Sequence, residues 1–289
     1  MYRLCSELEG NKKLNLGFVA QIFNANHGLY ITEEQKATFD LSTLEIDDFG
    51  DSREERVFRM WINSLNMEGV FISDLFADLG DGLCLLKLLE SLQPGIVNWK
   101  KVSNTDKPSR FTRIANANYV VQLAKDMKLS LVNVGGIDIV DGNKKLILAI
   151  IWQLLRKFTL QVLAKLASGE GVSEMSEEKV MAWANEKNKE GGKVSSMRNL
   201  KDSSVKSGVF FLDLVHSIEP RAVDLSVVTA GDVVEEQMMN AKYAISCARK
   251  VGAVVFLTPE DIVECKSKML LAFIAALWTA DLQRTKLLA

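Results

Sequence analysis

Residues 71–99 read FISDLFADLGDGLCLLKLLESLQPGIVNW, and this stretch decides the fold. Asp81 and Gly82 stop one segment and an apolar helix begins at Leu83. Leu83, Leu86 and Leu89 line one face, and Leu85, Leu88 and Leu92 widen it, a stripe broad enough to require burial. Pro94 and Gly95 end the helix. The arrangement returns as SGVFFLDLVHSIEPRAVD. Ser207 stands for Asp81, Gly208 for Gly82, Pro220 for Pro94 and Asp224 for Asn98, with no gap between them. An internal repeat of this length fixes the architecture before any chemistry is considered.

The chain has 289 residues, room for about two domains. Its 48% apolar and 25% charged content is that of a globular chain, Pro is scarce at 4, and no long run alternates at period two. The fold class expected is all-α. The net charge is -2, but it is unevenly spread. Residues 97–165 carry 12 basic and 4 acidic side chains, against 8 and 16 in residues 1–96 and 15 and 17 in residues 166–289. A basic middle in a near-neutral chain points to an acidic partner there, although basic residues also merely solvate helices. Cys5, Cys84, Cys247 and Cys265 form no C-x-x-C pair and read as reduced thiols of a cytosolic protein. The N-terminus lacks a signal-peptide core, and no apolar run, Leu146 to Trp152 included, approaches the roughly 18 residues of a membrane span.

Residues 9–23 read EGNKKLNLGFVAQIF, and residues 141–152 read DGNKKLILAIIW. The pentads Gly10–Leu14 and Gly142–Leu146 are identical. The opening segment is therefore expected to be the last helix of a preceding domain, apolar along Leu14, Phe18 and Ile22, followed by a linker to residue 51. Ser52 and Glu55 form a capping box for a helix with Val57, Trp61 and Leu65 on its buried face. After the Leu83–Leu92 helix comes a basic loop through Lys100, Lys101 and Lys107, then a helix from Pro108 and Ser109 to about Met127. Leu129 to Asp141 reads as a turn region, with Asp141 capping a long helix whose core face is Leu146, Ile150, Leu154 and Phe158. Ser168–Ser176 reads as an interdomain linker. The order then repeats: Trp183 matches Trp61, Asn240 matches Asn116, Asp261 matches Asp138, and Lys268 to Ile274 matches Lys145 to Ile151. The expected domains are 52–167 and 168–289, two copies of one fold, behind residues 1–51.

Catalytic chemistry has little support. The two histidines are His27, in the linker, and His216, within an apolar helix, and neither sits in a nucleophile–base pattern. The run Asp78 to Gly82 fails as a calcium loop because Gly80 stands where a carboxylate is needed. No glycine-rich phosphate loop or zinc cluster is present, so no cofactor or metal is expected. Trp61, Trp152 and Trp183 fall on helical stripes and read as core. Trp99 differs: it follows the Pro-Gly turn, precedes two lysines and could anchor an interface.

The repeats resemble the calponin-homology domain, an all-α fold with a tryptophan on its first helix, a D-G-L-x-L-L-x-L-L helix and a final K-x-x-L-x-x-x-W helix. Trp61, Asp81–Leu89 and Lys145–Trp152 carry these features in the first copy. The second copy departs, with Ser207 for the Asp and Ala275 for the last Trp. SREERVFRMWINSL, GNKKLILAIIWQLLR, MNAKYAISCARK and LTPEDIVE are similar to the fimbrin (plastin) family. The resemblance implies the second actin-binding domain of a fimbrin: tandem calponin-homology domains packed together, with an extra N-terminal helix from the first actin-binding domain. It implies a non-enzymatic, cytoplasmic, cytoskeletal F-actin-binding module of a cross-linking protein, whose calcium-binding EF-hands are absent from this sequence. Partners implied are actin filaments and the preceding actin-binding domain, with neither nucleic acid nor membrane, and the chain itself is expected to be monomeric. The family's filament contacts carry over to Arg53, Arg56, Asn98, Trp99, Lys100, Lys101, Lys144, Lys145, Leu148, Ile151 and Leu155, with Glu178 and Lys179 as further candidates. A tandem calponin-homology scaffold for another protein, or for microtubules, is the alternative.

Overall fold

The computed structural model describes residues 53–105, 108–131, 134–168 and 175–288. The expected opening helix and the Ser52 cap lie outside the described residues. Helices account for all regular structure among the described residues. The leading copy comprises α1 (Arg53–Ser64), α2 (Leu75–Asp78), α3 (Leu83–Leu92), a 3-10 turn at Trp99–Lys101, α4 (Arg110–Asp126), α5 (Gly136–Val140) and α6 (Lys144–Ser168). The trailing copy comprises α7 (Glu177–Glu190), a 3-10 turn at Ser203–Ser207, α8 (Val209–Ile218), 3-10 turns at Pro220–Ala222 and Leu225–Val227, α9 (Val234–Lys250), α10 (Pro259–Val263) and α11 (Ser267–Leu288).

The stretch that opened the sequence reading forms the centre of each copy. Gly82 has φ +76° and precedes α3, and Gly208 has φ +75° and precedes α8. Both positions need glycine twice over. A side chain there would occupy the left-handed region, and its Cβ would lie 3.0 Å from the backbone N of Ala117 or Ala241. The residue before each glycine caps the helix: Asp81 Oδ1 accepts from the Leu83 N–H at 2.8 Å, and Ser207 Oγ accepts from the Val209 N–H at 3.3 Å. Ser207 thus does the work of the missing Asp.

A buried asparagine ties each of these turns to the next helix. Asn116 Nδ2 donates to the Ser103 carbonyl at 3.0 Å and to the Asp81 carbonyl at 3.4 Å, while its Oδ1 accepts from the Ser103 N–H. Asn240 repeats this with the carbonyls of Thr229, at 2.9 Å, and Ser207, at 2.8 Å. Buried amides satisfied at both ends specify a geometry rather than merely permitting it. The repeat is therefore preserved in its hydrogen bonds as well as in its spacing.

Three expectations change. The region Leu129 to Asp141 contains α5, capped by Asp138 Oδ2 accepting from the Gly135 N–H at 2.8 Å. The residue capping α6 is Asn143, whose Oδ1 accepts from the Leu146 N–H, while Asp141 instead pairs with Arg110. The core face of α6 is turned as well: Ile147, Ile150, Ile151 and Leu154 are fully buried, and Leu146 and Phe158 are only partly so.

By length and composition, α6 is the one helix among the described residues that could cross a membrane. Its apolar circumference is used by two protein faces. One enters the leading core. The other meets α11, where Leu155 lines an apolar crevice with Val57, Met269 and Phe273. A helix that is apolar all round is buried on more than one side. Trp152, at the same contact, lies under the Lys268 ammonium, 5.8 Å from the ring centre. Trp152 is therefore a domain-contact residue and only half-buried, whereas Trp61 is core and packs against Phe158. The trailing copy, lacking a tryptophan at 275, stacks Trp183 on Trp278 with ring centres 5.1 Å apart. Trp278 is three positions beyond Ala275, close to one helical turn, so it returns to a similar face.

Candidate protein-binding interface

The loop after α3 is built to display its side chains. Asn98 Oδ1 accepts from the Lys100 N–H at 3.1 Å and opens the 3-10 turn, and the Asn98 N–H donates to the Tyr119 hydroxyl at 2.9 Å. This pins the turn to α4. Lys101 Nζ lies 5.9 Å from the Tyr119 ring centre, a cation–π distance. Trp99 is left 44% exposed, and Asn98, Lys100 and Lys101 are exposed beside it. The trailing copy keeps the scaffold, with the Asp224 N–H donating to the Tyr243 hydroxyl at 2.8 Å. It replaces Trp-Lys-Lys by Leu225, Ser226 and Val227. The basic, aromatic display belongs to the leading copy alone.

A second exposed corner lies where α6 begins. Lys144 and Lys145 are exposed, and Lys144 Nζ sits 4.9 Å over the Phe76 ring. Arg110 Nη2 donates to Asp141 Oδ1 at 2.7 Å and brings the start of α4 alongside. Arg56 is exposed on α1 and Leu148 is half-buried. Glu178 and Lys179 are exposed on the first turn of α7.

The remaining candidates are engaged within the chain. Ile151 has 0% exposure and Leu155 4%, so neither can reach a partner in this arrangement. Arg53 is engaged across the two copies, donating to both carboxylate oxygens of Glu264. The hydrogen bond from Arg53, followed by that from Lys266, holds the Glu264 carboxyl below its ordinary value of 4.5. Glu54 and Lys268 add a 3.4 Å pair at the same contact. The burial of Ile151 and Leu155 has one cause. The long final helix has two apolar faces, and spacing alone does not say which of them a neighbouring domain covers.

Among the described residues, no group of three or more His, Cys, Asp or Glu side chains converges as metal ligands would. His216 lies half-buried on α8, and burial, then Lys193, hold its pKa below the usual histidine value. The Cys84 thiol is pushed up to about 11, chiefly by burial, which disfavours the thiolate. Sequence reasoning missed Phe111, which is 86% exposed in the first turn of α4. A lone apolar residue in a polar helix start gives no periodic signal.

Comparison with known proteins matches the calponin homology (CH) domain family over residues 52–160 and 174–282. The chain is 42% identical over 277 residues to Fimbrin-5 of Arabidopsis thaliana, and 38% identical over 282 residues to Plastin-3 of Homo sapiens. Each alignment covers 96% of this chain, and 40% and 43% of those proteins respectively, so the chain spans about two fifths of the length of the curated relatives it matches. The crystal structure of the actin-crosslinking core of Schizosaccharomyces pombe fimbrin superposes with a TM-score of 0.69 at 40% identity, over 93% of this chain and 53% of that one. The chain belongs to the calponin homology domain family, carries two copies of that domain in tandem, and has the fimbrins and plastins among its relatives.

Proposed function

We propose that this chain is a non-catalytic F-actin-binding module of a filament cross-linking protein, acting in the cytoplasm on the cytoskeleton. The observation that carries this reading is the Trp99–Lys101 turn. It is hydrogen-bonded to Tyr119, and it exposes an aromatic and two ammonium groups on the most basic part of the chain. An aromatic ringed by cations suits an acidic protein surface: the aromatic supplies contact energy and the cations supply encounter rate. The filament-facing set is Arg56, Asn98, Trp99, Lys100, Lys101, Lys144 and Lys145. Leu148 lies at its margin. Ile151 and Leu155 are excluded while the two domains stay paired, and Arg53 is engaged by Glu264.

We read 52–167 and 168–289 as the two domains. The shared pentads Gly10–Leu14 and Gly142–Leu146 relate the sequence of residues 1–51 to the same repeat. One pair of domains makes one filament site, so the chain binds filaments as a monomer without bundling them. Co-sedimentation with F-actin, with microtubules in parallel, tests the reading. Pelleting with F-actin alone supports it, and pelleting only with microtubules points to the scaffold alternative.

A further inference from the structure

We infer that Phe111 is the apolar anchor of the leading domain's filament contact, at the corner where the Arg110–Asp141 pair joins the start of α4 to the start of α6. The inference rests on the filament-binding reading above and adds a residue that the family resemblance did not supply.

Three observations converge on it. Phe111 leaves 86% of its surface in water, more than any other aromatic side chain among the described residues. Its place is set by Arg110, which pairs with Asp141 three residues before Lys144 and so joins the start of α4 to the start of α6. The third observation comes from the repeat. Asp141 corresponds to Glu264, and Lys144 and Lys145 correspond to Ser267 and Lys268. In the trailing copy this corner is already an interface: Glu264 receives Arg53, and Lys268 receives Glu54 and Trp152 of the leading copy. The same corner of the fold therefore docks a protein surface in one copy and is exposed in the other. At the exposed corner, Phe111 replaces the trailing copy's Glu235, and Lys144 replaces Ser267. The trailing version carries a carboxylate, Glu235, where the leading one carries an aromatic, and it lacks the cations of Arg110 and Lys144. The leading corner thus calls for an acidic partner with an apolar recess, and its Lys144 and Lys145 belong to the proposed filament site. An actin filament is the occupant that reading supplies.

The test is F-actin co-sedimentation of the 289-residue chain as wild type, F111A, F111L and K144E/K145E, each over a range of salt. Losing a phenylalanine that is buried on binding weakens association about tenfold or more. F111A should show that loss with an unchanged salt dependence. F111L should keep most of the affinity, and K144E/K145E should weaken binding and flatten the salt dependence. Because Phe111 touches no core, F111A should melt with the wild type. Wild-type pelleting with F111A equal to it overturns the Phe111 assignment and leaves the filament reading standing. A wild-type chain that stays in the supernatant overturns both. Light scattering adds a further outcome: a wild-type dimer that F111A converts to monomer, with pelleting unchanged, assigns the corner to self-association and also overturns the inference.

Discussion

Arg53, in the first turn of α1, donates hydrogen bonds of 2.8 and 2.7 Å to the two carboxylate oxygens of Glu264, 211 residues further along the chain. This bidentate pair, with Glu54–Lys268 and the Lys268–Trp152 contact beside it, closes the leading domain onto the trailing one. Both side chains of the pair remain about a third or more exposed, so solvent screens it, and it is worth about 1 kcal/mol at most. R53E or E264R should therefore loosen the domain contact without unfolding either domain, and R53E/E264R should restore it. Hydrogen exchange along α6 and α11 reads the change. Single variants with wild-type protection at that contact would contradict this role.

The same pair has a defined response to acid. The folded Glu264 carboxyl is held below its unfolded value of 4.5, so its contribution is complete above that value and is lost as pH falls through the depressed one. The stability that wild type loses in urea unfolding between about pH 6 and about pH 3 should exceed that lost by R53Q, by about 1 kcal/mol at most. An R53Q profile identical to wild type would remove the pair from the domain contact.

Leu155 separates the family-based expectation from the observed packing. As a filament contact, its truncation would cost binding and leave stability alone. At 4% exposure in the crevice with Val57, Met269 and Phe273, L155A should instead cost about 2–5 kcal/mol in urea unfolding. A loss below about 0.5 kcal/mol, the range of an exposed substitution, would put the side chain on the surface.

G82A tests the turn that organises each copy. It forces a side chain into the left-handed region and sets its Cβ 3.0 Å from the Ala117 backbone. The expected loss is about 2 kcal/mol or more, and G208A should match it in the trailing copy. Asymmetry between the two would mean that only one copy depends on this approach.

Much of this was legible beforehand because it rests on short-range chemistry. The Gly82 and Gly208 turns, the Ser109 cap and the matched asparagines announce themselves through residue type and spacing. The faces of α6 do not. Its apolar residues run round the whole helix, so periodicity could not say that Ile151 and Leu155 point inward or that Trp152 lies under Lys268. Asp141 and Asn143 are both competent caps, and the ion pair with Arg110, distant in sequence, decided between them. Trp278 and Phe111 escaped for opposite reasons: one hides among many apolar neighbours, and the other stands alone.

The central claim is that the basic, aromatic turn of the leading domain binds actin filaments, and K100E/K101E tests it most directly. Both lysines are exposed, so the fold should survive with a stability change within about 0.5 kcal/mol. High-speed pelleting with F-actin at low salt should fall at least tenfold in affinity, and low-speed pelleting should yield no bundles with either chain. An unchanged high-speed affinity in the reversed variant would contradict the account.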